Sequence, residues 1–128
     1  MRYNCDSLTS VTILECIPSI GGRAFYDCKS LTFISIPESV ISIGDEAFYG
    51  CSELKSFNLG GNNTIKTIGD SAFERCTALE SIVLPNTLTN LGECAFAYNT
   101  SLTLFKYANS DLEIEQGILV GCKAIKEL

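Results

Sequence analysis

Histidine is absent from the 128 residues. That removes the commonest general base near neutral pH, the Ser/His and Cys/His nucleophile pairs, and every histidine-containing metal site. Basic residues are few and scattered: nine Lys and Arg stand against fifteen Asp and Glu, for a net charge of −6. Binding of nucleic acid or an anionic membrane surface needs a basic stripe to neutralise phosphate, and none is present. Long apolar runs are also missing, so no stretch reaches the ~18 residues that read as a membrane span. The first residues, Met1 to Asp6, lack the charged-then-apolar pattern of a secretory signal. Taken alone, that pattern keeps the cytoplasm open as a location. No G-x-S-x-G, phosphate-binding glycine loop or convergent carboxylate pair occurs, so no catalytic residue and no cofactor are expected. C-x-x-C pairs, the usual start of a zinc site, do not occur either, and no metal is expected.

What is present is a repeat. Cys5, Cys28, Cys51, Cys76 and Cys122 fall 23, 23, 25 and 46 residues apart, and Asn99 stands where the 46-residue gap skips one period. Three residues after each come Leu8, Leu31, Leu54, Leu79, Leu102 and Ile125. Val11, Ile34, Phe57, Ile82, Phe105 and Leu128 follow, then Ile13, Ile36, Leu59, Leu84 and Tyr107. Two further columns are Ile17, Val40, Ile65, Leu88 and Asp111, and Ile20, Ile43, Ile68, Leu91 and Ile114. Gly21, Gly44, Gly69 and Gly92 come next, and Ala-Phe pairs recur at 24–25, 47–48, 72–73 and 95–96, with Ile118-Leu119 in the last copy. Chance does not align so many apolar columns. The unit reads C-x-x-L-x-x-I-x-L-P-x-x-V-x-x-I-G-x-x-A-F-x-x, and about five copies of 23 residues, one of 25, fill residues 1–128 as a single domain.

Each part of the unit has a physical reading. Period-2 alternation, as in Ile34-Ser35-Ile36, suits a short strand. Stacked copies would set these strands side by side in a parallel sheet, ~4.8 Å apart. Pro37 and Pro85 suit the turn that follows, where no ladder donor is needed. Gly lets the chain bend, and the acidic residues after it (Asp45-Glu46, Asp70, Glu93) suit the start of a short helical turn. Ala packs closely and Phe fills the centre. One coil cannot bury its own face, so stability depends on neighbours.

The motif I-G-x-x-A-F-x-x-C-x-x-L-x-x-I-x-L-P, carried best from Ile43 to Pro85, resembles the BspA-type (treponemal-type) leucine-rich repeats. The resemblance covers nearly the whole chain. It implies an α/β repeat solenoid: a leucine-rich-repeat coil stack with a short-stranded parallel sheet and short helical turns on the opposite side. It also implies a surface or secreted location and adhesion, or recognition of host or matrix proteins. It carries over no catalytic residue. The last copy departs from the motif, with Asn99 for Cys, Glu115 for Gly and Ile118-Leu119 for Ala-Phe. Both ends look like array cut mid-repeat, which predicts a fragment open to end-to-end self-association.

The expected function is that of a non-catalytic protein-binding module, with a structural spacer or intracellular scaffold as the alternative. The binding surface is placed on the outward strand positions: Phe33, Ser35, Ser56, Asn58, Ser81, Val83, Leu104 and Lys106, flanked by Ser10 and Thr12. Tyr26 and Tyr49 are expected on the opposite side as partly covered packing. The column cysteines read as small apolar core residues and are expected to be free thiols, their Cβ directions parallel; Cys16 and Cys94 lie off the column. Asn62-Asn63-Thr64 and Asn99-Thr100-Ser101 have the form of glycosylation sequons, but read more simply as a flexible turn and an inward ladder asparagine.

Overall fold

The computed structural model describes residues 5–58 and 64–125. The Asn62-Asn63-Thr64 turn, Leu59 and Leu128 thus fall wholly or partly outside the described residues. Five coils begin at Cys5, Cys28, Cys51, Cys76 and Asn99, and each runs through the same sides in the same order. On the first side lie β1 (Ser10–Thr12), β3 (Phe33–Ser35), β5 (Ser56–Asn58), β7 (Ser81–Leu84) and β9 (Leu104–Tyr107). On the second lie β2 (Ser19–Ile20), β4 (Ser42–Ile43), β6 (Thr67–Ile68) and β8 (Asn90–Leu91). The third side is a run of turns carrying the Ala-Phe pairs.

All strand pairing is parallel, as the repeat requires. Ser10, Phe33 and Ser56 sit in one row and Val11, Ile34 and Phe57 in the next. The second sheet, β2-β4-β6-β8, runs unbroken through four coils. Its strands are two residues long, too short for alternation to be read, and the sequence pattern did not announce this sheet. The first side is split among the described residues into a β1-β3-β5 sheet and a β7-β9 pair. The split falls at the 25-residue copy.

The short helical turns are a correction. Coils 1 to 4 carry consecutive β-turns there, and the described chain has one helical segment, a 3-10 turn over Gln116–Leu119 in the last coil. In coil 1, Ala24 N–H donates to Gly21 O, Tyr26 N–H to Arg23 O and Cys28 N–H to Phe25 O. The intervening amides point the other way: Arg23, Phe25 and Asp27 N–H donate to Asp45, Ala47 and Tyr49 O of the next coil. Every second donor is therefore spent between coils, which a helix with its internal i→i−4 bonds cannot do. The geometry needs left-handed residues at two points per turn. These are Arg23 and Asp27 in coil 1, Glu46 and Gly50 in coil 2, Ser71 and Arg75 in coil 3, and Cys94 and Tyr98 in coil 4. A left-handed non-glycine costs about 1–2 kcal/mol. The cost is tolerated because the ladder of inter-coil bonds over-determines the backbone.

The glycine column has a different task from bending. A β-carbon on Gly44 would come 2.6 Å from Gly22 N, and one on Gly92 would come 2.4 Å from Asp70 N. These glycines let successive coils approach. The acidic residues beside them tie coils together: Asp45 Oδ1 accepts from Asp70 N–H at 2.8 Å, and Asp70 Oδ1 from Glu93 N–H at 2.9 Å.

The core is a set of ladders. Leu31, Leu54, Leu79 and Leu102 are fully buried. Phe25, Phe48, Phe73 and Phe96 stack with centroids 5.2, 5.0 and 5.3 Å apart and planes within 12°. Two residues depart from their expected columns. Asp111 is exposed and its neighbour Leu112 is buried in its stead, because a carboxylate cannot enter an apolar core unpaired. Tyr107 is 38% exposed; its phenol keeps its polar tip at solvent.

Candidate functional site

On the first side, outward and inward residues alternate. Phe33-Ile34-Ser35 is exposed, buried, exposed, and Ser81-Ile82-Val83-Leu84 repeats the pattern. Parallel register puts Ser10, Phe33 and Ser56 in one row and Thr12, Ser35 and Asn58 in the row beside it. On the other strip, Ser81 pairs with Leu104 and Val83 with Lys106. Phe33 is 44% exposed and Val83 48%. Ser35, Ser56, Ser81 and Lys106 are exposed, while Leu104 is half-buried. The eight residues thus lie on one side of the coil stack, but on two strips. Phe33 belongs to the first and Val83 to the second, with the β5/β7 break between them. Lys106 is the one charged residue of the eight, so the strips offer small hydroxyls around two apolar side chains.

The other sides differ. The second sheet presents Ser19, Ser42, Thr67 and Asn90 at the positions before its buried Ile20, Ile43 and Ile68 and half-buried Leu91. Ile41 lies beside this row, 46% exposed. Sequence reasoning missed this face, since two-residue strands leave no periodic signal. On the turn side, Tyr26 stacks on Tyr49 at 5.0 Å, as partly covered packing. Arg23 lies over the Tyr26 ring at 5.4 Å and pairs with Glu46 at 2.6 Å. That carboxylate raises the Arg23 pKa, first through the hydrogen bond and then through charge. Arg75 covers Tyr98 at 4.6 Å. Ring faces there are already occupied by partners from the same chain.

The cysteine column brings a second correction. Cys5 and Cys28 form a disulfide, with Cα atoms 5.0 Å apart. Adjacent column positions fall within bonding range, so parallel placement does not prevent pairing where the first coil meets the second. The other column thiols are free, and each donates to the Phe carbonyl of the Ala-Phe turn stacked one repeat back: Cys51 Sγ to Phe25 O at 3.2 Å, Cys76 Sγ to Phe48 O at 3.3 Å, Cys122 Sγ to Phe96 O at 3.1 Å. Burial pushes the Cys51 thiol up to about 12 and the Cys76 thiol well above its ordinary value. Burial likewise raises Cys94 and Cys122. The thiolate is the reactive form, so these four are held in the unreactive one. Asn99 is fully buried in the same column: its Oδ1 accepts from Cys76 N–H at 2.9 Å, while its Nδ2 has no partner. The ladder reading of Asn99 is thereby realised. Among the described residues, no three His, Cys, Asp or Glu side chains converge as a metal site. No helix of the described residues is long and apolar enough to cross a membrane.

Stacked coils of this period, two narrow parallel ladders and an Ala-Phe turn side define a solenoid of the leucine-rich-repeat class. The chain belongs to the BspA-type leucine-rich repeat family, whose model matches residues 2–126 in six copies. It is similar to a leucine-rich repeat protein from Bacteroides ovatus ATCC 8483, at 34% identity over 95% of this chain, with a TM-score of 0.86. This chain covers 31% of that one. It is also similar to the T. pallidum leucine-rich repeat protein, at 26% identity, TM-score 0.74, covering 92% of this chain and 67% of that one. A leucine-rich cell surface protein from Faecalibacterium prausnitzii A2-165 shares the fold at 20% identity, with a TM-score of 0.51 over 97% of this chain and 48% of that one. No curated protein matches the sequence.

Proposed function

We propose that the chain is a non-catalytic module that binds a protein partner through the first-side strips, in a surface or secreted protein. The observation that carries this reading is the exposure of Phe33 and Val83 among small hydroxyl residues, on positions the core does not dictate. Phe33 is the aromatic anchor, and Ser35, Ser56, Asn58, Ser81, Leu104 and Lys106 form the surround. Interfaces concentrate energy in a few such anchors, with aromatic ones prominent. Low charge on the strips reduces the desolvation cost of docking. The Cys5–Cys28 disulfide favours an oxidising compartment over the cytoplasm, and therefore adhesion or matrix recognition over an intracellular scaffold.

The test is binding to immobilised extracellular-matrix proteins. Phe33→Ala is expected to cost about 1–3 kcal/mol of binding with the melting temperature nearly unchanged. Tyr49→Ala, on the turn side, is expected to leave binding intact. Loss of binding in the Tyr49 variant together with full binding in the Phe33 variant would move the interface to the other side of the solenoid.

A further inference from the structure

The cysteine column does more than fill space. Cys5, Cys28, Cys51 and Cys76 occupy four successive coils at one position. The first two are joined, and the next two are thiols. The run ends at Asn99, which separates Cys122 from the rest. The Cys5–Cys28 bond links successive coils, so it runs along the stack. Cys51 stands one coil further on the same line. Its Sγ reaches Phe25 O, three residues before Cys28, at 3.2 Å. The Phe25–Phe48 stack of coils 1 and 2, at 5.2 Å, is matched by the Phe48–Phe73 stack of coils 2 and 3, at 5.0 Å, so coil 3 approaches coil 2 as coil 2 approaches coil 1. Thiol–disulfide exchange proceeds by attack of a thiolate on one sulfur with the other sulfur leaving. A thiol one coil beyond the disulfide at the same column position, within reach of the Cys28 backbone N–H, is the neighbouring sulfur that such a displacement needs.

We propose that Cys51 is a built-in exchange partner of the Cys5–Cys28 disulfide, so that the covalent clasp between coils 1 and 2 can shift by one coil and release coil 1. In the step, Cys51 gives its proton to solvent base and its thiolate attacks Cys28 Sγ. The Cys28–Cys51 bond forms, the Cys5–Cys28 bond breaks, and Cys5 leaves as a thiolate that takes up a proton. One disulfide and one thiol are present before and after, so no oxidant or reductant is consumed. Burial holds the exchange silent in the closed stack: the Cys51 thiol lies at about 12, countered only in part by the Cys28 backbone N–H. Opening of coil 1 admits water, lowers that barrier and permits the shift. Coil 1 carries β1, whose Ser10 and Thr12 flank Phe33 and Ser35. Release of coil 1 therefore alters the edge of the proposed binding strip. The exchange itself stands or falls independently of that binding role.

The experiment uses the whole chain with its native disulfide, incubated without added oxidant at about pH 8.5, near the ordinary pKa of a free thiol. Urea is added below the global unfolding transition, and amide exchange confirms that coil 1 opens. Acid quench, alkylation and peptide mapping then locate the disulfide. The expected result is a Cys28–Cys51 linkage and an alkylated Cys5 appearing together, at a rate independent of protein concentration. Cys51→Ser is expected to retain Cys5–Cys28 alone. As a second arm, Cys5→Ser treated with oxidised glutathione is expected to form Cys28–Cys51. The proposal is overturned if Cys5 is freed equally fast in Cys51→Ser, if the products are intermolecular dimers, or if Cys5→Ser forms no Cys28–Cys51 bond.

Discussion

The middle coils and the last coil follow the same template and end up differently. In coils 2 to 4, Gly44, Gly69 and Gly92 admit the neighbouring backbone, Phe48, Phe73 and Phe96 stack nearly face to face, and the β-turn ladder continues. In the last coil Glu115 replaces the glycine, Leu119 the phenylalanine, and the second sheet has already ended at β8. A β-carbon at the glycine position collides with backbone in the middle coils. Glu115 brings one, and a 3-10 turn forms over Gln116–Leu119, although Phe96 and Tyr98 N–H still donate to Ile118 and Val120 O of the last coil. Phe105 meets Phe96 edge-on, at 67°, where the stack runs out of partners. The side-chain ladders thus persist only while every column supplies its residue, whereas the backbone ladder of the turn side carries on into the last coil.

The largest test of this contrast lies in the aromatic stack. Phe73 is fully buried between Phe48 and Phe96, and Phe73→Ala is expected to cost about 3–5 kcal/mol in denaturant unfolding. Leu119 is only half-buried, and Leu119→Ala is expected to cost much less. Equal costs would mean that the last coil is as tightly built as the middle.

Next in size is the glycine column. A β-carbon on Gly69 would lie 2.6 Å from Asp45 N and 2.8 Å from Gly44 C, both backbone atoms. Gly69→Ala is therefore expected to lose about 1–3 kcal/mol. Glu115→Gly is expected to leave stability level or slightly higher. A neutral Gly69→Ala would show that the coils have slack between them.

The buried thiols make alkaline pH a third probe. Burial raises the Cys51 pKa from 9.0 to about 12 in the folded chain. Below pH 9 the thiol is neutral in both states, and its burial costs nothing in ionisation. As pH rises from about 9 toward 12, the unfolded chain releases a proton that the folded one keeps. Stability should then fall by about 1.4 kcal/mol per pH unit for this thiol, levelling above 12. Melts across that window should show a shallower fall in Cys51→Ala. An unchanged slope would assign the alkaline loss to other groups.

How much of this was legible depended on whether like residues stack on like. The Leu31, Ile34, Val40, Ile43 and Phe48 columns were readable because each repeats in kind through the coils that bury it. The turn side was misread as helical because its left-handed positions are held by Arg23, Glu46, Ser71 and Cys94, four residue types without a common signature. Conformation there comes from inter-coil hydrogen bonds, which leave no composition behind. The second sheet was invisible for want of length. The disulfide was misjudged because the alignment shows that sulfurs share a column, but not which neighbours close up. On the proposed face, alternation placed Phe33, Ser35, Ser81 and Val83 outward correctly, while the longer third copy, where the β5/β7 break falls, showed an insertion without showing that it parts the sheet.

The smallest expected effect, and the sharpest for the comparison, is at Asn99, where the irregular coil begins. Where coils 2 and 5 end, the N–H of the next column residue closes the turn: Cys51 N–H donates to Phe48 O and Cys122 N–H to Leu119 O. The Cys76 N–H, at the junction of coils 3 and 4, donates to Asn99 Oδ1. The asparagine thus satisfies one amide from outside its coil, but leaves its own Nδ2 buried without a partner. A buried donor without an acceptor costs about 1–3 kcal/mol, against about 1 kcal/mol for a satisfied hydrogen bond. Asn99→Cys removes both at once. The Cys76 N–H then has the turn carbonyl that its counterparts use, and the new thiol can donate backward as Cys51, Cys76 and Cys122 do. The expected outcome is a gain of about 1 kcal/mol in denaturant unfolding under reducing conditions. A loss of that size would mean that the asparagine bond to Cys76 outweighs its stranded amide, and that Asn99 holds coils 4 and 5 together.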